Sequence, residues 1–160
     1  MVSLGRMRIE DARTTKERQS GVALLRKAAS LGEWAAPHFL GRVAEDECDY
    51  ENMEKWYLLS VRHGDFTSAY RYAQFLLNKM SRRLNQKGVL VLRLALSRPA
   101  TRDSSIYALL AKCYLSGEGV KKNRAMALKL LRRAARNDPE SARLVKILMK
   151  RGTHSAARVT

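Results

Sequence analysis

The residues able to do chemistry are few and scattered. Three histidines, His38, His63 and His154, share no His-x-x-His spacing, and Cys48 and Cys113 stand 65 residues apart with no Cys-x-x-Cys pair. Zinc sites need such local spacings, because one turn or loop must aim two ligands at one ion. Cys48 sits among Glu45, Asp46, Glu47 and Asp49, which oppose a thiolate nucleophile. No Ser-x-x-Lys motif and no Gly-rich phosphate loop are present. The expectation is therefore no catalytic residue, no metal and no cofactor.

Charge is the stronger chemical signal. Among 160 residues, Lys and Arg number 31 against 15 acids, a formal charge of +16. The distribution is uneven: residues 33–66 hold three bases and eight acids, whereas 67–102 hold eight bases and no acid. Lys129, Arg132, Arg133 and Arg136 follow i, i+3, i+4, i+7, which lays them along one helix face. With Arg82-Arg83 and Lys121 to Arg136, they make a basic surface that could meet nucleic acid or any acidic partner. Nine of the eleven aromatics lie between Trp34 and Phe75. Helical spacing predicts that they serve as core, with Trp56 and Tyr70 buried. No aromatic interrupts the basic stripe, which weakens single-strand stacking as its use.

The elements that must position these side chains are helices in a repeat. A displacement of 106 carries Leu4-Gly5-Arg6 onto Leu110-Ala111-Lys112 and Leu25-Arg26-Lys27-Ala28-Ala29 onto Leu131-Arg132-Arg133-Ala134-Ala135. Leu40-Gly41 follows Leu4-Gly5 by 36, His63-Gly64 follows Leu31-Gly32 by 32, and Leu94 precedes Leu131 by 37. A period of 32–37 is that of a helix pair repeated along an axis. Apolar residues at three and four, such as Tyr107, Leu110, Ala111 and Tyr114, give each helix one core face. Helices are expected near 1–12, 16–31, 34–45, 50–63, 66–80, 84–98, 104–116, 122–137 and 139–151. Thr14 with Glu17 reads as a capping box, Asp65, Asp103 and Asp138 as N-caps, and Gly32 and Gly64 as stops.

Residues 107–120, Tyr-Ala-Leu-Leu-Ala-Lys-Cys-Tyr-Leu-Ser-Gly-Glu-Gly-Val, resemble the first half of a Sel-like repeat, a relative of the tetratricopeptide repeat. Lys121 to Asp138 resemble its second half. Other copies depart from the pattern: Asp11 and Arg13, then Met80 and Arg82, stand where the two loop glycines fall, and the loop around Glu45 to Asp49 is shorter. The resemblance implies an all-α solenoid of about four helix pairs in a right-handed superhelix. The repeats would be 1–32, 33–64, 65–100 and 103–138, with a capping helix at 139–151 and a flexible tail at 152–160, all in one domain. It implies a non-catalytic interaction module: an adaptor, assembly or regulatory protein of bacterial type, a cognate immunity protein or a secretion chaperone.

By analogy with tetratricopeptide grooves, the first helices line a concave face. Arg6, Arg42, Phe75 and Lys112, with His38, Arg71 and Asn78, would there hold an acidic protein or peptide. A nucleic-acid-associated basic protein and a self-assembling array are the alternatives. No stretch approaches the roughly 20 apolar residues of a membrane span, and no signal-peptide core is present, so the expectation is a cytoplasmic protein with no membrane partner. Oligomeric state is not legible.

Overall fold

The computed structural model describes residues 1–79, 81–97 and 103–156, with side chains as far as residue 150. These residues form nine helices and no strand: α1 (Val2–Glu10), α2 (Thr15–Ser30), α3 (Ala36–Asp46), α4 (Tyr50–Arg62), α5 (Phe66–Leu77), α6 (Arg82–Leu96), α7 (Ser104–Ser116), α8 (Arg124–Ala134) and α9 (Pro139–Ala156). Two compact units divide the chain, Met1–Tyr72 and Ala73–Thr160. In the first, α1 packs on α2, α2 on α3 and α3 on α4. In the second, α6 packs on α7, α7 on α8 and α8 on α9.

Helix ends follow local chemistry. Thr14 and Glu17 form the expected reciprocal capping box at the start of α2. Asp65 accepts from Thr67 N, Asp103 from Ser105 N, and Asp138 from the amides of Glu140 and Ser141. Asp49 and Asn123 cap α4 and α8 in the same way. Gly32 and Gly64 take positive φ just past α2 and α4. Helix α9 continues to Ala156, five residues beyond the expected end at 151 and across most of the anticipated tail. Met80, read as a substitute for a loop glycine, lies outside the described residues.

Burial gives the repeat its register. In the second helix of each pair, buried positions recur as Gly21, Met53, Gly88 and Ala127, then Leu25, Tyr57, Leu92 and Leu131, then Ala28, Ser60, Ala95 and Ala134. In three of the first helices they recur as Leu40, Tyr72 and Leu110, then Gly41, Ala73 and Ala111, then Ala44, Leu76 and Tyr114. Small residues opposite large ones let helices close up. A β-carbon on Gly41 would lie 2.5 Å from Tyr57 Cδ1, so the ring occupies the space that any other residue would fill.

This register corrects three expectations. Leu92, not Leu94, matches Leu131; Leu94 is 45% exposed. The buried tyrosines are Tyr57, Tyr72 and Tyr114, whereas Trp56 and Tyr70 are only half-buried. Stacked helices cover the stripe occupied by Tyr57 and Tyr72 and leave the adjacent positions at its margin. Phe75 shares its register position with Val43 and Cys113, so the residue equivalent to Arg42 and Lys112 in α5 is Gln74.

Candidate interaction surface

In the first unit, α3, α4 and α5 bring together side chains far apart in sequence. Tyr57, fully buried, donates its hydroxyl to Glu45 Oε2 at 2.5 Å. Arg71 donates to the same carboxylate oxygen at 3.1 and 3.3 Å and to the Tyr57 oxygen at 3.3 Å. Burial, with Glu45 as acceptor, pushes the Tyr57 phenol well above its ordinary value. Arg71, expected on a ligand-binding face, makes an intramolecular ion pair with Glu45 while its side chain stays 41% exposed.

His38 is committed as well. Its Nδ1 lies 3.0 Å from Asp65 Oδ2 and 3.0 Å from Ser68 Oγ. Ser68 and Ser60 both donate to Asp65 Oδ2, at 2.7 and 2.9 Å. Burial alone would raise the Asp65 carboxyl, but hydrogen bonds from His38, Ser68 and Ser60 outweigh it and hold the group well below the usual carboxylate range. Serine, histidine and aspartate are together here, yet not as a nucleophilic relay. A relay uses the two imidazole nitrogens on opposite sides, whereas Asp65 and Ser68 meet the same nitrogen and Ser68 is fully buried. The cluster ties the start of α5 to α3 and α4.

Arg6 and Arg42 border one shallow pocket with Ile9, Phe39 and Val43. The Arg6 guanidinium stands 5.7 Å from the Phe39 ring centroid and 3.7 Å from Glu10. Arg42 is exposed and has no ion pair among the described residues. In the second unit, Lys112 is exposed and pairs with Glu140 at 3.6 Å. The Lys79 ammonium sits 4.4 Å from the Phe75 ring centroid, and Asn78 is exposed just past the end of α5.

On α8, Lys129, Arg132 and Arg133 are exposed, with Arg133 over the Tyr107 ring at 5.7 Å and Arg132 3.9 Å from Met149 Sδ. Arg136 is also exposed but lies beyond the helix, which ends at Ala134, so the four-residue stripe is shorter than its spacing suggested. Cys48, at the α3–α4 turn, is exposed with φ +56. Cys113 is buried, and that burial, with Glu118 nearby, pushes its thiol up to about 11. Among the described residues no group of three His, Cys, Asp or Glu is placed to hold a metal, and no helix is long and apolar enough to cross a membrane.

Charge divides between the units more sharply than the sequence windows showed. Residues 1–72 contain eleven bases and eleven acids; residues 73–160 contain twenty bases and four acids. The whole net charge of +16 therefore belongs to the second unit. The charge shift read at residues 66–67 and the boundary at Tyr72–Ala73 both fall inside α5, where no loop marks a division. Glu45, Tyr57, Asp65 and Ser68 were missed as network members because hydrogen bonds of this kind join residues of different helices and leave no short motif.

Residues 3–33 and 107–139 match the Sel1 repeat family. The solved structure of a protective antigen of uropathogenic Escherichia coli, displaying an SLR fold, is similar with TM-score 0.66 and 23% identity, over 84% of this chain and 29% of that one. A Sel1 repeat protein from Oxalobacter formigenes is similar with TM-score 0.67 and 21% identity, over 88% of this chain and 58% of that one. The chain thus spans less than two thirds of either structure's length. Among curated proteins, none matches the sequence. The all-α repeat architecture read from spacing is the observed one, with matches to the Sel1 repeat family at 3–33 and 107–139 and a fold similar to solved structures of SLR type.

Proposed function

We propose that this chain is a non-catalytic interaction module whose second unit holds an acidic protein. The observation that carries the reading is the charge division, twenty bases against four acids in residues 73–160. A unit so charged repels itself and is stabilised by a partner that supplies acids. Repeat helices offer rigid exposed rows for that purpose, and Sel1 repeats generally mediate contacts between proteins. Lys112, exposed on α7, is the first-helix cation of the second unit best placed to contribute, and Arg42 is exposed at the same register position of α3 in the first unit. His38 and Arg71 support the reading indirectly, by fixing the helices rather than by reaching a ligand.

The second reading is nucleic-acid association through Lys129, Arg132, Arg133 and Arg136, favoured by their shared exposure. A salt titration separates the two. Labelled polyglutamate and a labelled random DNA duplex are bound to the full chain and followed by fluorescence anisotropy. The interaction module binds polyglutamate more tightly at physiological salt. Tighter DNA binding, with a steep logarithmic salt dependence of about −0.9 per phosphate neutralised, overturns the acidic-protein reading.

A further inference from the structure

The α7–α8 connection is pressed onto the first turns of α6 by main chain rather than by side chains. Gly117 and Gly119 have φ of +86° and +67°. A β-carbon on Gly119 would stand 2.2 Å from the Asn85 carbonyl oxygen, so only glycine allows this approach. Asn85, with its amide turned to donate, reaches the carbonyls of Leu76, Leu77 and Ser81 at 3.3, 3.3 and 3.1 Å and fixes the start of α6. Between the loop and α6 lies an open cleft of about 720 Å³. That volume falls in the range of about 300–1,000 Å³ found for ligand sites.

Arg82, Lys121 and Lys122 line this cleft from both walls, with Asn85, Gln86, Ser116 and Glu118 as its other polar side chains. The three cations are exposed and have no ion pair among the described residues. A concavity lined by one dominant sign focuses potential and raises the local concentration of opposite charge. The ligand chemistry follows from what else is present. No aromatic side chain lines the cleft, so a nucleobase would have no stacking platform. Glu118 would repel a uniform polyphosphate, whereas a peptide could set its amides against Glu118 and Gln86 and its carboxylates against the cations.

We propose that the cleft between the α7–α8 loop and the start of α6 seats an acidic peptide segment, with Arg82 and Lys121 as the principal carboxylate contacts. The inference rests on the acidic-partner reading and assigns that partner a specific anchor. Lys122 packs along Gly117, so it also shapes the loop.

The test uses the full chain and a labelled dodecapeptide of alternating Glu and Gly, with the Gln–Gly peptide and an equally charged DNA oligonucleotide as competitors. The expected result is binding of the Glu peptide, weakened about tenfold by Arg82→Gln/Lys121→Gln and little changed by Lys129→Gln/Arg133→Gln, with equal helicity in all chains. Amide NMR shifts should centre on residues 82–86 and 116–122. If the cleft variant binds normally while Arg42→Gln/Lys112→Gln loses the peptide, the cleft assignment is wrong and the acidic-partner reading stands. Equal losses in all three variants point to bulk attraction and also overturn the cleft. Absence of Glu-peptide binding overturns both, and displacement of the peptide by a tighter-binding oligonucleotide assigns the cleft to nucleic acid instead.

Discussion

Tyr57 and Glu45 meet through a 2.5 Å hydrogen bond that joins the middle of α4 to the end of α3, and Arg71 closes the triangle from α5. Charge-assisted bonds of this kind contribute about 1.5–3 kcal/mol. Tyr57→Phe keeps the ring that fills the space beside Gly41 and removes only the hydroxyl, so urea unfolding should show a loss in that range. The raised phenol adds a pH signature. A group whose folded value lies above its unfolded one stabilises fully below the unfolded value, here about 10, and loses that contribution as pH rises toward the folded value. Wild type should therefore lose stability above about pH 10 more steeply than Tyr57→Phe. Some slope should persist in the variant, because burial raises Tyr72 as well.

Asp65 behaves in the opposite sense. Its carboxylate accepts from His38, Ser60, Ser68 and Thr67 N, and its folded value is depressed. A depressed carboxyl stabilises above its unfolded value of about 3.9 and loses that stability as pH falls through the folded value. Asp65→Ala removes the cap and strands two buried hydroxyls, which should cost about 2–4 kcal/mol at neutral pH. The gap between wild type and variant should shrink as pH falls below the unfolded carboxyl value of about 3.9. A gap that widened in acid would mean the carboxylate is not the stabilising species.

The third repeat tests the register. Leu92 and Leu131 are fully buried in equivalent positions, so either change to alanine should cost about 2–5 kcal/mol. Leu94→Ala, at a 45% exposed site, should cost less than about 1 kcal/mol. Thermal or urea unfolding of the three variants checks the order.

That register also marks where the sequence stopped being readable. Element ends were legible because caps and stops are local: Thr14 with Glu17, Asp65, Asp138 and Gly64 each act within four residues. Repeat alignment was legible wherever a Leu-Gly or Leu-Arg-Lys block recurs. It slipped by two at Leu94 and by one at Phe75, in the repeat with no glycine either in its own loop or in the connection that follows it, unlike the first two repeats, which end at Gly32 and Gly64. The candidate surface suffered more, because pairing is a tertiary property. Nothing near His38 or Arg71 in sequence announces Asp65 or Glu45 as partner.

Two glycines with similar angles separate strain from collision. Gly32 has φ +80°, and a β-carbon there would meet nothing within 4 Å. Gly119 has φ +67° and would drive its β-carbon into the Asn85 carbonyl. Gly32→Ala should therefore cost only the left-handed penalty of about 1–2 kcal/mol. Gly119→Ala should exceed it and, because the loop must lift, should also weaken Glu-peptide binding. Equal costs at the two sites would mean the loop rides freely over α6.

Charge reversal distinguishes the two surfaces. Arg42 is exposed without an ion pair among the described residues, and Lys112 holds only a 3.6 Å exposed pair with Glu140. Such a pair is worth at most about 1 kcal/mol, so Arg42→Glu/Lys112→Glu should leave helicity and melting temperature nearly unchanged. A desolvated interfacial charge costs about 2–5 kcal/mol when lost, and reversal adds repulsion, so polyglutamate binding should fall at least about tenfold. Lys129→Glu/Arg133→Glu should instead reduce retention on DNA and spare polyglutamate, since those cations lie on α8, the second helix of its pair, rather than on a first helix. Loss of polyglutamate binding only in the α8 variant would move the working surface from the first helices to the basic row of α8.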